Sequence, residues 1–243
     1  MIEIKHSGIE NTKNSSIAYE QIYHERGISH LDSFYLMLIE LLNPEPGKLL
    51  IDVSCGEGRL ACLANHWNVQ SVAIDFVLYP LITSKRQNNE ISWVNADAEK
   101  IPIRSNSVDY VFNIGSIEHY LNPENGIREI ARILKPEGKA CILLPNLFGL
   151  LGNIKYVAQK GEVFYDNQPI QRYATLNTWK SLLTENNLII TKVIGFNEVQ
   201  LPKTFQDFNY YLHRPQKFVR LLISRLIPLN LSNHFIFLCK PKS

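Results

Sequence analysis

Residues 49–58 read Leu49-Leu50-Ile51-Asp52-Val53-Ser54-Cys55-Gly56-Glu57-Gly58, and a helical pattern follows from about Arg59 to Asn65. A short apolar run bounded by a turn signal forms a buried strand. The glycine-rich turn after it brings backbone N–H groups close to a ligand, because glycine lacks the Cβ that would hold the ligand off. Gly56 and Gly58 alone are a weak motif. The order of acids around them is stronger: Asp52 lies on the strand that enters the turn, and Asp75 ends the next strand. In an open α/β sheet both carboxylates fall at the carboxyl edge, where ligands bind.

Working outward, Ser71 to Asp75, Ile91 to Val94, Val108 to Ile114 and Lys139 to Leu144 are further strand candidates, with helical stretches near 78–88 and 123–134 between them. Such alternation calls for a parallel sheet with right-handed crossovers, the α/β class. The rhythm breaks at Pro145-Asn146, and residues 147–175 mix glycines with Phe148, Tyr156, Phe164, Tyr165 and Tyr173. It resumes with a helix from about Asn177 to Glu185, a strand from Leu188 to Ile194 and a closing strand from His234 to Cys239. Upstream, Ser29 with Asp32 reads as a capping box that opens a helix with Leu31, Phe34, Tyr35, Leu38 and Leu42 on its apolar face.

Composition narrows the function classes. With 45% apolar residues over 243 positions the chain can build a packed core, which excludes disordered, collagen-like and disulfide-framework proteins. Twenty-five Lys and Arg against 23 Asp and Glu give a formal charge of +2, without the basic bias of a nucleic-acid binder, so no nucleic-acid partner is expected. Cys55, Cys62, Cys141 and Cys239 form no CxxC pair, which argues for buried free thiols in a reducing compartment and against a metal site. The N-terminus lacks the pattern of a secretory signal, and the longest apolar region, Ala140 to Leu151, is too short to span a bilayer. A soluble, cytoplasmic protein is the expectation.

Two cofactor readings fit the turn. Asp75 is placed to accept hydrogen bonds from the ribose diol of any adenosine cofactor, and Gly56-Glu57-Gly58-Arg59-Leu60-Ala61 satisfies the looser form of the dinucleotide fingerprint. An NAD(P)-dependent oxidoreductase is therefore one alternative. Three segments in order favour another: LLIDVSCGEGRLA from Leu49, VNADAEKIPIRSNSVDYVF from Val94 and REIARILKPEGKACILLPN from Arg128. Together they resemble the class I S-adenosylmethionine-dependent methyltransferases, especially the group with the ubiquinone and menaquinone methyltransferases. The resemblance covers about residues 45–145 well and 176–195 weakly.

It implies a Rossmann-like seven-stranded sheet, mostly parallel with an antiparallel last strand and helices on both faces. It implies a single domain, 1–243, in which 1–47 is an N-terminal helical lid and 48–144 the cofactor-binding core. Residues 145–175 and 196–233 would be substrate-side insertions, and 176–195 with 234–240 would complete the sheet. With S-adenosyl-L-methionine as cofactor, Gly56 and Gly58 would line its methionine part, Asp52 would lie near its amino group and Asp75 would hold the ribose hydroxyls. Asp97 and Ala98 would border the adenine, and Asn113 would lie beside the methionine moiety. Two departures stand out: Ser54 and Glu137-Gly138 occupy positions where the family usually has Gly and Gly-Gly. The serine hydroxyl would either narrow the approach to the cofactor carboxylate or donate to it, and the second departure is harmless if Gly138 alone needs a positive φ.

Methyl transfer is an in-line displacement in which the protein mainly aligns the nucleophile and excludes water, so a base is optional. His119 in Ser116-Ile117-Glu118-His119-Tyr120 is the candidate base, and a packed residue at a helix start is its competing reading. Glu118 is assigned to the first turn of that helix. Tyr19 and Tyr23, four apart, share one face of a helix that, by the resemblance, would lid the cofactor, with ordinary packing as the competing role for at least one of them. The insert 196–233 holds Lys203, Arg214, Lys217, Arg220 and Arg225 against Glu198 and Asp207. Its Val219, Leu222, Ile223, Leu226 and Ile227 form an amphipathic stripe, expected to pack over the substrate pocket, with a membrane-surface seat through 216–227 or a dimer contact as alternatives. No (Asp/Asn)-Pro-Pro-(Tyr/Phe) motif follows the fourth strand and no Pro-Cys pair occurs. The expected acceptor is a small, largely apolar or aromatic molecule methylated on O or N, a membrane-seated lipid or quinone methyltransferase being the alternative; the oligomeric state is left open.

Overall fold

The computed structural model describes residues 1–242. The chain opens on a short strand, β1 (Ile2–Lys5), and two helices, α1 (Thr12–Glu25) and α2 (Asp32–Leu42). The alternation then runs β2 (Leu49–Val53), α3 (Arg59–Ala64), β3 (Gln70–Asp75), α4 (Leu78–Gln87), β4 (Ser92–Asn95), β5 (Val108–Ile114), α5 (Pro123–Ile133) and β6 (Leu134–Pro145). After it come α6 (Lys155–Lys160), β7 (Ile170–Tyr173), α7 (Leu176–Glu185), β8 (Leu188–Phe196), α8 (Phe205–Leu212), α9 (Pro215–Ser224) and β9 (His234–Pro241).

Seven strands form one sheet in the order β4-β3-β2-β5-β6-β9-β8. β2 pairs in parallel with β3 on one side and β5 on the other, so strand order reverses there and a crevice opens at the carboxyl ends. β9 lies between β6 and β8, antiparallel to both. This is the seven-stranded, mostly parallel sheet with an antiparallel last strand that the resemblance implies.

The inner strands of the sheet are buried on both faces, which is why they read as continuous apolar runs. On one face Ile127 and Ile130 of α5 and Trp179 and Leu183 of α7 cover Ile51, Val111 and Ile142. α5 begins with Pro123 in its first turn, and α7 is capped by Thr175, whose side chain accepts from Thr178 N. On the other face Phe34, Leu38 and Ile39 of α2 pack with Leu60 of α3 over Leu50 and Phe112.

Five expectations need correction. Ser29 does not cap α2: the N-cap is Leu31 without a side-chain hydrogen bond, and Asp32 instead takes Arg59 Nε at 2.6 Å. Gly138 has no positive φ; a Cβ there would stand 2.9 Å from Lys135 O, so close backbone approach is what requires glycine. Cys55 and Cys62 are only half-buried, unlike Cys141 and Cys239. The N-terminal segment is not wholly helical, because β1 pairs antiparallel with β7 and ties 1–47 to 145–175 in a second, two-stranded sheet. The apolar stripe on α9 does not pack over the pocket: Val219, Leu222, Ile223 and Leu226 are exposed.

Candidate active site

A cavity of about 980 Å³ lies over the carboxyl edge where strand order reverses, at the upper end of the range of about 300–1,000 Å³ typical of small-molecule sites. The turn after β2 makes its floor. Ser54, Gly56 and Gly58 all take left-handed backbone, with φ of 59°, 54° and 66°. Gly56 N donates to Asp75 Oδ2 at 2.8 Å, and a Cβ on Gly56 would stand 2.6 Å from the Tyr23 hydroxyl. Gly58 does not line the cavity: it begins α3, and a Cβ there would stand 2.5 Å from the Trp93 ring, so its glycine serves packing against β4.

Asp52 and Asp75 both face the cavity and are buried. Burial raises Asp52 to about 8, opposed by the Ala61 backbone and helped by the charge of Asp75. Burial also raises Asp75, to about 6, against the backbone N–H groups of Val77 and Gly56. Neither forms an ion pair among the described residues, so this end of the cavity is suited to a cation. Asp75 spends one acceptor site on Gly56 N and one on Val77 N at 2.9 Å, which leaves lone pairs on each oxygen for hydroxyl donors. Farther along the edge Asp97 and Ala98 line the wall, and Asp97 accepts from Thr12 Oγ1 at 3.0 Å and Glu99 N at 2.9 Å.

α1 covers this end. Tyr19 and Tyr23 both line the cavity; Tyr19 donates to Gln168 Oε1 at 3.0 Å and meets Phe76 and His119 edge to face. Asn113 lies beneath the floor and does not line the cavity. Its Nδ2 donates to Val53 O at 3.2 Å and to the Tyr120 hydroxyl at 2.7 Å, and that hydroxyl lies 2.7 Å from Ser54 Oγ. The Asn113–Tyr120–Ser54 chain thus holds the turn from below.

Glu118 and His119 also line the cavity. His119 Nδ1 hydrogen-bonds the Ile170 carbonyl, which places the proton on Nδ1 and leaves the Nε2 lone pair free. Glu118 stands in the first turn of a short 3-10 helix, Ile117–His119, with its side chain buried in the cavity wall, and its Oε2 has no hydrogen-bond partner. Burial raises it to about 8. Arg172 Nη1 donates to the Glu118 and Tyr120 carbonyls, fixing this turn against β7. Phe34, Tyr173, Phe196 and Tyr211 line an aromatic end of the cavity, where the Phe34 and Phe196 rings lie 5.0 Å apart.

The sequence reading singled out the segment 116–120 but gave Glu118 only a helix-turn role and Tyr120 none, and it missed Arg172. Nothing periodic marks 147–175, and Arg172 carried no signal. Among the described residues no group of three or more His, Cys, Asp or Glu could hold a metal ion.

The fold and site define a Rossmann-like α/β protein with an adenosine-cofactor crevice at its strand switch. Residues 51–142 match the methyltransferase domain family. A demethylmenaquinone methyltransferase of Renibacterium salmoninarum is 27% identical over 106 residues, 44% of this chain and 45% of that one. A chloroplastic 2-methyl-6-phytyl-1,4-hydroquinone methyltransferase of Arabidopsis thaliana is 41% identical over 104 residues, 41% of this chain and 31% of that one. The chain thus spans less than half the length of these curated relatives. Among solved structures, a Haemonchus contortus phosphoethanolamine N-methyltransferase 2 in complex with S-adenosyl-L-methionine superposes with a TM-score of 0.61 at 22% identity, covering 96% of this chain and 58% of that one. A [4+2]-cyclase, SpnF, does so at 0.62 and 17% identity, covering 87% and 82%. At these identities the structural likeness establishes the fold alone. Residues 51–142 thus carry a methyltransferase domain, similar in sequence to those of the quinone methyltransferases. The site fits S-adenosyl-L-methionine, the group bound in the Haemonchus contortus structure: two buried carboxyl groups without ion-pair partners among the described residues suit its ammonium, sulfonium and ribose diol.

Proposed function

We propose that the protein transfers a methyl group to O or N of a small, largely apolar or aromatic molecule by in-line displacement. The observation that carries this reading is that one cavity is lined by Asp75 and Asp97, by Glu118 and His119, and by the rings of an aromatic end. The bound cofactor supplies an electrophilic methyl carbon; the protein aligns the acceptor and excludes water. The free Nε2 of His119 is placed to take a hydroxyl proton, with the Ile170 carbonyl holding the ring's tautomer. Tyr19 and Tyr23 close the cofactor end and shed water from it. Relatives named for menaquinone and hydroquinone acceptors support an aromatic, largely apolar acceptor. The four free cysteines support a cytoplasmic setting.

Titration calorimetry with S-adenosylmethionine and, separately, NADH tests the reading, followed by radiolabelled methyl transfer to a panel of phenols and amines. Heat with the first ligand and label in the organic phase are expected. Heat with NADH alone would overturn it.

A further inference from the structure

α8 and α9 leave their apolar faces open. Phe205 is 87% exposed, Leu222 68% and Leu226 83%. Phe205, Phe208 and Leu212 follow i, i+3, i+7 on α8, and Val219, Leu222, Ile223 and Leu226 follow i, i+3, i+4, i+7 on and just past α9, so each helix presents one stripe. Exposed apolar area of this kind on a folded chain marks an interaction surface.

The charges around the stripes have one sign. Residues 201–230 contain a single acid, Asp207, and it is buried with its carboxylate accepting Ser33 N at 2.7 Å. Lys203 and Arg220 are paired, with Glu40 and Glu198. Arg214, Lys217 and Arg225 form no ion pair among the described residues, and Arg214 lies 4.1 Å over the Tyr210 ring. A second copy docked on this face would bring the same cations together with no carboxylate to meet them, whereas an anionic lipid surface supplies the missing charge. No helix among the described residues is long and apolar enough to cross a membrane, and two short amphipathic helices suit lying in its surface. Tyr210, Tyr211 and Lys217 also wall the cavity, so this surface and the aromatic end adjoin.

We propose that α8 and α9 seat the protein on an anionic membrane surface, with the aromatic end of the cavity opening toward an acceptor held in the lipid. This rests on the reading of the cavity as the site of an apolar acceptor.

The test is co-sedimentation of the full chain with phosphatidylcholine vesicles, with and without phosphatidylglycerol. Binding to the anionic vesicles is expected, falling with added salt. It is also expected to fall at least about tenfold in a Leu222→Asp, Leu226→Asp variant and, with a shallower salt dependence, in Arg214→Gln, Arg225→Gln. Binding to neither vesicle, or equally to both, overturns the proposal. So does a dimer in velocity sedimentation that the Leu222→Asp, Leu226→Asp variant dissolves. S-adenosylmethionine calorimetry on the same samples should be unchanged in all variants; its absence in the parent chain would overturn the methyl-transfer reading and leave the vesicle result standing by itself.

Discussion

Glu118 Oε1 stands 3.8 Å from His119 Nε2 in the cavity wall, and burial drives the two neighbours toward the same uncharged state. It pushes the Glu118 carboxyl up to about 8 and pulls the His119 imidazole below its ordinary 6.5, the Ile170 carbonyl opposing the second shift. Near neutral pH the pair is therefore a carboxylic acid beside a neutral imidazole and not an ion pair. An acid that can donate next to a base that can accept is what a proton-bearing acceptor requires.

The stability of the protein should report the Glu118 shift. Between the ordinary glutamate range and about 8 the folded chain keeps the proton and the unfolded chain does not. Folding then takes up a proton, so the stability Glu118 contributes is fully present at low pH and is lost as pH rises through about 8. Glu118→Gln removes that titration. Its melting temperature should match the parent's at about pH 4 and exceed it increasingly toward about pH 9, by roughly 2–4 °C per kcal/mol. Parallel curves at all pH values would refute it.

In the proposed role His119 acts in its neutral form, so the acid limb of turnover should fall below 6.5, the ordinary histidine value. His119→Ala should lose turnover by about 10²–10⁴-fold while retaining cofactor affinity, and its remaining activity should lack that limb. Unaltered turnover would leave the imidazole a packing residue.

Asp75 contacts a ribose diol only if its free lone pairs point into the cavity. Asp75→Ala should weaken S-adenosylmethionine binding by about 1–3 kcal/mol in calorimetry. Because Asp75 also holds Gly56 N and Val77 N, Asp75→Asn serves beside it: an amide keeps one acceptor for the turn and should fall between parent and alanine. Equal affinity in all three would place the ribose elsewhere.

What the chain discloses in one dimension follows from periodicity. β2, β3 and β5 are buried on both sides and flanked by helices, so apolar runs and turn residues mark them, and the acids at their ends locate the cofactor edge. Gly58 and Asn113 were misplaced because sequence order names the turn but not which way a residue faces: one looks toward Trp93, the other down to Tyr120. β1 and β7 were illegible because their pairing joins Ile2 to Tyr173 across most of the chain, and no local pattern encodes a partner that far away.

The Ser54 position settles whether the serine is a burden or a support. A non-glycine residue at φ 59° carries a penalty of about 1–2 kcal/mol, and its hydrogen bond to the Tyr120 hydroxyl returns about 0.5–1.5. Ser54→Gly relieves the first and forfeits the second, so its unfolding free energy should stay within about 1 kcal/mol of the parent's. Tyr120→Phe has no such compensation. It keeps Ser54 left-handed without its partner and leaves the buried Asn113 Nδ2 with Val53 O alone, so a loss of about 1–3 kcal/mol is expected. In the double variant the Tyr120→Phe cost should shrink, since only Asn113 is then deprived. Denaturant unfolding of the four chains measures the coupling, and strict additivity would show that the hydroxyl pair does not hold the turn.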